Sequence, residues 1–341
     1  MKSTDSRRHA GITLTELLVS MGILTFLMLI LSSATESAGR AWRDGQARTD
    51  TYQSARSALE LMARELSSAV VDTRMQFVIG PSTMISNVVR KTSPELADKF
   101  SEGAPIALWM APLGEDGSLR CVGYYVHRDP VKRFYRLKRL LIGPPTSERD
   151  SPFFPRMLNL RNAKDVTLRT SPINAQWFTR SWTSQAFDDE DPLNEDVVVS
   201  AAADGVIALW LQPVDLLGNP VPSLASASNH PKSSLYYNSA AYFQAATTTP
   251  FEDGTSFRYL AETRQSMKGN RLPAFMDIAV ITLDGKEIAR GDNIPEQLNV
   301  FDKSGTLDLE ASRREYERNL QDAGIRTARA FTTRARLING N

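Results

Sequence analysis

The chain has 341 residues, 42% hydrophobic and 23% charged, values that exclude a disordered, collagen-like or multi-span membrane sequence and leave room for a substantial core. Forty lysines and arginines stand against thirty-nine aspartates and glutamates, so the formal net charge of +1 gives no global pull toward nucleic acid or an anionic surface. A single cysteine, Cys121, excludes an intrachain disulfide and Cys-rich zinc ligand sets, and His9, His127 and His230 are too few for a histidine-rich metal site. No cofactor is expected.

The first element in chain order is a short, polar leader, residues 1–11, in which Lys2, Arg7 and Arg8 outweigh Asp5. Residues 12–31 follow as an apolar stretch broken by one charge, Glu16. As a helix rising about 1.5 Å per residue, this stretch covers roughly 30 Å, the hydrocarbon thickness of a bilayer. The basic leader favours a cytoplasmic amino terminus, with the rest of the chain across the membrane. A secretory signal would place Ser32, Ser33 and Ala34 at its cleavage site, but the apolar run exceeds the roughly 7 to 15 residues such signals use. A plain anchor leaves Glu16 unexplained, because a carboxylate near the bilayer costs about 2.5 to 3.5 kcal/mol at the centre and needs a cation or a task.

The helical pattern continues to about residue 71. Tyr52, Ala55, Leu59, Met62, Leu66 and Ala69 recur at spacings of three and four, forming one apolar stripe that predicts docking on a sheet. Arg56, Glu60 and Arg64 fall on another, solvated face. No proline occurs before Pro81, so one helix over 12–71 is expected, with Gly39 and Gly45 as places for bending.

From residue 75 onward the pattern turns to β, with strands predicted at 75–79, 106–110, 121–127, 133–141, 205–211, 275–283 and 326–337. Residues 309–323 read as a late amphipathic helix with Leu309, Tyr316 and Leu320 on one side, while 143–155 and 223–249 read as loops or insertions. The fold class is α+β: a long N-terminal helix, membrane-spanning in its first half, packed on a mainly antiparallel β-sheet head. The divisions are 1–11 leader, 12–31 membrane helix, 32–72 amphipathic continuation and 73–341 head.

The run Gly11-Ile12-Thr13-Leu14-Thr15-Glu16-Leu17-Leu18-Val19 resembles the processing motif of type IV prepilins and type II secretion pseudopilins. That resemblance implies cleavage after Gly11 by a prepilin peptidase, methylation of the new amine on Ile12, and pairing of Glu16 with the amine of an adjoining subunit. Ile12 stands where phenylalanine is more usual. The resemblance also implies a pilin-like fold, an inner-membrane location with a periplasmic head, and partnership with the peptidase, sister subunits and lipid. At the end of the helix, Ser57-Ala58-Leu59-Glu60-Leu61-Met62-Ala63-Arg64-Glu65-Leu66, and in the head, Gly123-Tyr124-Tyr125-Val126, Phe134-Tyr135-Arg136-Leu137, Ala203-Asp204-Gly205-Val206 and Leu272-Pro273-Ala274-Phe275-Met276-Asp277-Ile278-Ala279-Val280 look like a J-type minor pseudopilin. The pattern and length are also similar to the prepilin-like Verru_Chthon cassette protein C family. The alternative function is a single-span, membrane-anchored periplasmic binding or enzymatic domain.

No phosphate-binding glycine loop, nucleophile elbow, HExxH or EF-hand loop occurs, so the expectation is a structural subunit and not an enzyme. Asp188, Asp189, Glu190, Asp191, Asn194, Glu195 and Asp196 offer oxygen ligands suited to calcium but lack the spacing of a recognised site, and a solvated loop is the expectation. Lys132, Arg133, Arg136, Lys138 and Arg139 interleave with Phe134, Tyr135 and Leu137; they read as the wet face of an amphipathic strand, with no nucleic acid expected. His127 and His230 have no neighbouring nucleophile, and Cys121 reads as a small packed hydrophobe.

Overall fold

The computed structural model describes residues 13–71, 77–82, 100–101, 103–113, 117, 119–129, 134–142, 197–221, 236–239, 272–290, 294–302 and 306–339. The leader with Gly11 and Ile12, the acidic run 188–196, Lys132, Arg133, His9, His230, the 143–155 loop and most of 223–249 lie outside them. The chain divides into two compact units, Met1–Asp50 and Thr51–Asn341.

Helix α1, Leu14–Ser67, runs through Gly39 and Gly45 without interruption. In its first part every large apolar side chain from Leu14 to Leu31 is at least 49% exposed. From Thr51 on, the predicted stripe is buried at Ala55, Leu59, Met62 and Leu66, and Ala69 continues it beyond the helix end. Tyr52 is half-buried and packs on Phe331 with ring centroids 5.7 Å apart. Arg56, Glu60 and Arg64 are exposed, as their spacing predicts.

Two antiparallel sheets receive this half of the helix. Strands β1 (Val78–Pro81), β2 (Pro105–Pro112), β3 (Leu119–Asp129), β4 (Phe134–Ile142), β5 (Val197–Asp204) and β7 (Tyr237–Asn238) form a six-stranded sheet in the order β5-β4-β3-β2-β1-β7. Strands β6 (Val206–Val214), β8 (Phe275–Thr282) and β9 (Arg329–Arg336) form a second sheet in the order β6-β8-β9. Between β5 and β6 a single residue, Gly205, carries the chain from one sheet to the other, and its φ of +75° is a left-handed conformation that glycine adopts without steric cost. Two short helices complete the described fold: α2, Gly285–Arg290, and α3, Leu309–Asp322. Asp308 caps α3 by accepting the Ala311 N–H at 2.8 Å.

A continuous core joins helix and sheets. Leu59, Met62 and Leu66 belong to one buried cluster with Trp109, Tyr124 and Leu137 of the larger sheet and Trp210, Ile278 and Val280 of the smaller one. Trp109 stacks with both Phe77 and Tyr124 at 5.7 Å, and Trp210 meets Tyr316 of α3 edge-on at 5.7 Å. Cys121 is fully buried, the packed role its strand position predicts.

The basic strand is a correction. Its described cations do not form a wet face: Lys138 is only 5% exposed, opposite Tyr125 in the ladder, and Arg139 pairs with the buried Glu65. Arg136 is engaged as well, pairing with Asp204 at 2.5 Å and lying over the Phe134 ring at 4.4 Å. Both faces of β4 are covered, so alternation there separates two interiors instead of inside from outside.

Candidate functional site

The head of α1 is built from two residues three apart. The Thr13 N–H and the Thr13 hydroxyl both donate to Glu16 Oε2, each at 2.9 Å, while the Glu16 N–H donates back to Thr13 Oγ1 at 3.3 Å. This is a capping box, in which the carboxylate and hydroxyl satisfy backbone donors that the first turn leaves unpaired. It turns the carboxylate toward the amino-terminal end of the helix, where the partial positive charge of the macrodipole also favours an anion. Among the described residues, Glu16 Oε1 accepts no hydrogen bond, so one oxygen is left to receive a cation.

The hydroxyls further along are satisfied inside the helix. Ser20 donates to the Leu17 carbonyl at 2.9 Å, Thr25 to Met21 at 2.8 Å and Thr35 to Leu31 at 2.8 Å. Their polar groups therefore present little obstacle to an apolar medium, and Glu16 is the one charge in the stretch. Among the described residues α1 is the one helix long and apolar enough to cross a membrane.

In the head, a cleft of about 640 Å³ lies between β8, β9 and the start of α3, lined in part by Gln212, Asp277, Thr332, Arg334, Asp308 and Glu310. These charges are engaged. Arg334 donates to both oxygens of Asp277, at 2.5 and 2.7 Å, Asp308 caps α3, and Glu310 accepts from Arg313 and Arg314. The arginines beside Glu310 hold its carboxyl below the usual range, against a smaller opposing effect of burial. No nucleophile and base pair emerges from this set, and among the described residues no three potential metal ligands gather.

Of the predicted site residues, Glu16 sits in the first turn of α1, while Gly11 and Ile12 lie outside the described residues. Sequence reasoning missed the part played by Thr13, although the Thr-x-x-Glu spacing is the signature of a capping box. It also missed Glu65, whose partners are far away in the chain.

Residues 6–32 match the prokaryotic N-terminal methylation motif. The match spans Gly11, Ile12, Glu16 and the apolar stretch, and it supports a type IV pilin-like precursor with a single membrane-anchoring helix. Comparison with curated proteins and with solved structures returns no match.

Proposed function

We propose that this chain is a minor pilin- or pseudopilin-like structural subunit. A prepilin peptidase removes the leader 1–11 after Gly11, the amine of Ile12 is methylated, and residues 12–31 pack with sister subunits into a pilus or pseudopilus. Residues 32–72 carry the helix into a periplasmic head, residues 73–341, and the precursor waits in the inner membrane with its amino terminus in the cytoplasm. The J-type resemblance in the head favours a place in the tip or initiation complex. The supporting observation is Glu16: a carboxylate with one oxygen open, at the amino-terminal end of an exposed apolar helix, inside a matched methylation motif. Cleavage before Ile12 creates a cation, and the amine of one subunit and Glu16 of another neutralise each other in surroundings where either alone is costly.

Mass spectrometry of the protein from its native membrane tests this reading. The expected mature chain begins at a methylated Ile12, and Gly11→Leu abolishes that product. Glu16→Ala leaves insertion and cleavage intact but removes the chain from filaments and from co-purified sister subunits. A chain that retains residues 1–11 in the cell overturns the proposal.

A further inference from the structure

The two outer edges of the smaller sheet are finished differently. On the β6 side the protein closes its own edge: Gln297 Oε1 accepts the Leu209 N–H at 2.9 Å, Gln297 Nε2 donates to the Leu209 carbonyl at 2.5 Å, and the Trp210 indole donates to the Leu298 carbonyl at 3.1 Å. On the other side, β9 pairs with β8 alone among the described residues. Its ladder is unbroken from Phe275↔Arg336 to Thr282↔Arg329, with no bulge and no proline. Arg329, Thr332, Arg334 and Arg336 are exposed. In an antiparallel ladder every second residue turns its N–H and C=O away from its partner strand, so among the described residues this edge is a template for one more strand.

We propose that β9 receives an extended strand of a partner polypeptide that carries carboxylates opposite Arg329 and Arg336. Charge selects this occupant. Arg334 is held by Asp277, whereas Arg329 and Arg336 have no acidic partner among the described residues. A second copy pairing antiparallel about the midpoint between Thr332 and Thr333 sets Arg329 against Arg336 at both ends, and like charges directly opposite destabilise a pair. Arg329 and Arg336 also stand on opposite faces of the sheet, about 23 Å apart at 3.3 Å per residue, an arrangement suited to the two ends of one strand and not to a phosphate backbone. This surface lies on the head and requires neither cleavage after Gly11 nor Glu16, so it stands apart from the assembly reading.

The test uses the full chain in mild detergent and a fluorescein-labelled, end-blocked octapeptide, Glu-Val-Thr-Val-Thr-Val-Thr-Glu, followed by fluorescence anisotropy. Saturable binding is expected. Combining Arg329→Glu with Arg336→Glu weakens it by about tenfold or more, because two opposite-charge pairs become like-charge pairs. The same double variant gains affinity for the octapeptide with lysine at both ends, a reversal that an unfolded variant does not produce. Methylating alternate peptide nitrogens, which removes the donors a ladder needs, abolishes binding to the unaltered protein. No binding by the unaltered protein, equal binding of the N-methylated peptide, or absence of the charge reversal each overturns the proposal.

Discussion

Glu65 and Arg139, 74 positions apart, form a two-pronged ion pair between α1 and β4, with Nη2 to Oε1 at 2.5 Å and Nε to Oε2 at 3.1 Å. The Tyr124 hydroxyl donates to the same Oε2 at 2.6 Å, so three elements meet on a carboxylate that is only 3% exposed. Such a pair adds little over a well-packed apolar replacement, because both ions lose their hydration, but losing one partner strands the other. Its contribution is to fix which turn of the helix lies over which residue of the sheet. Glu65→Ala is therefore expected to lower stability by about 3 to 5 kcal/mol. The paired replacement Glu65→Leu with Arg139→Met recovers most of that loss. Urea unfolding followed by the fluorescence of the buried Trp109 and Trp210 measures both, and equal destabilisation by the single and paired changes refutes the account.

Alkaline pH reaches the core through groups that the fold keeps neutral. Burial pushes the Cys121 thiol well up, and it pushes the Tyr124 and Tyr316 phenols up too, with the Glu65 charge adding to the effect at Tyr124. Each group holds its proton in the folded chain at a pH where the unfolded chain has released it. Stability is thus fully present below the unfolded values and falls as pH rises past them. The decline starts near pH 8.5 with Cys121 and steepens above about 10 with the tyrosines, each group adding about 1.4 kcal/mol per pH unit. Unfolding midpoints between pH 7 and 11, compared with those of Cys121→Ala, check the order: the variant holds a flat profile further into the alkaline range.

The docking stripe of α1 was legible because Tyr52, Ala55, Leu59, Met62, Leu66 and Ala69 repeat at the helical period, and period needs no knowledge of what lies opposite. Strands β2, β3, β4, β6, β8 and β9 were legible from their branched and aromatic runs. Strand β5 was missed although Val197, Val198 and Val199 favour a strand: the run is short, Ala201, Ala202 and Ala203 dilute it, and its pairing with β4 lies far off in sequence. The two residues of β7 and the six of α2 are too short for any period to show. Glu65 looks like one more charge on a helix until Arg139 arrives from another element. The change of sheet between β5 and β6 was likewise hidden, because it hangs on the backbone of one residue, Gly205.

That residue supports a sharp comparison. A Cβ added at Gly205 would meet the Leu283 carbonyl oxygen at 2.6 Å, while one added at Gly218, also left-handed at φ +87°, would meet nothing within 4 Å. The Gly205 carbonyl also accepts the Leu283 N–H at 2.8 Å, and its N–H donates to the Tyr135 carbonyl at 2.9 Å, so the backbone there cannot shift without loosening both sheets. Gly218→Ala should cost about 1 to 2 kcal/mol, the price of the left-handed backbone alone. Gly205→Ala should cost clearly more. Thermal unfolding of the two variants side by side separates conformational strain from steric conflict, and equal losses would leave the conflict without effect.

The amide of Gln297 does the work of a neighbouring strand. It satisfies both the N–H and the C=O of Leu209 on a side chain only 6% exposed, and its Nε2 also donates to Asn299 Oδ1 at 3.2 Å. Asn299 in turn donates to the Gly103 carbonyl at 2.8 Å, just ahead of β2, so this short segment connects the edge of the smaller sheet to the larger one. Gln297→Leu keeps the bulk but leaves a buried donor and a buried acceptor unpaired, each worth about 1 to 3 kcal/mol. Gln297→Glu retains an acceptor for the Leu209 N–H while losing the donor to its carbonyl, and it places a charge in the interior. Neither change should be tolerated well, but they differ at one atom: hydrogen exchange at the Leu209 amide is expected to accelerate strongly in Gln297→Leu and to stay closer to the overall unfolding rate in Gln297→Glu. If exchange at Leu209 is unchanged in Gln297→Leu, the edge is closed by something other than this side chain.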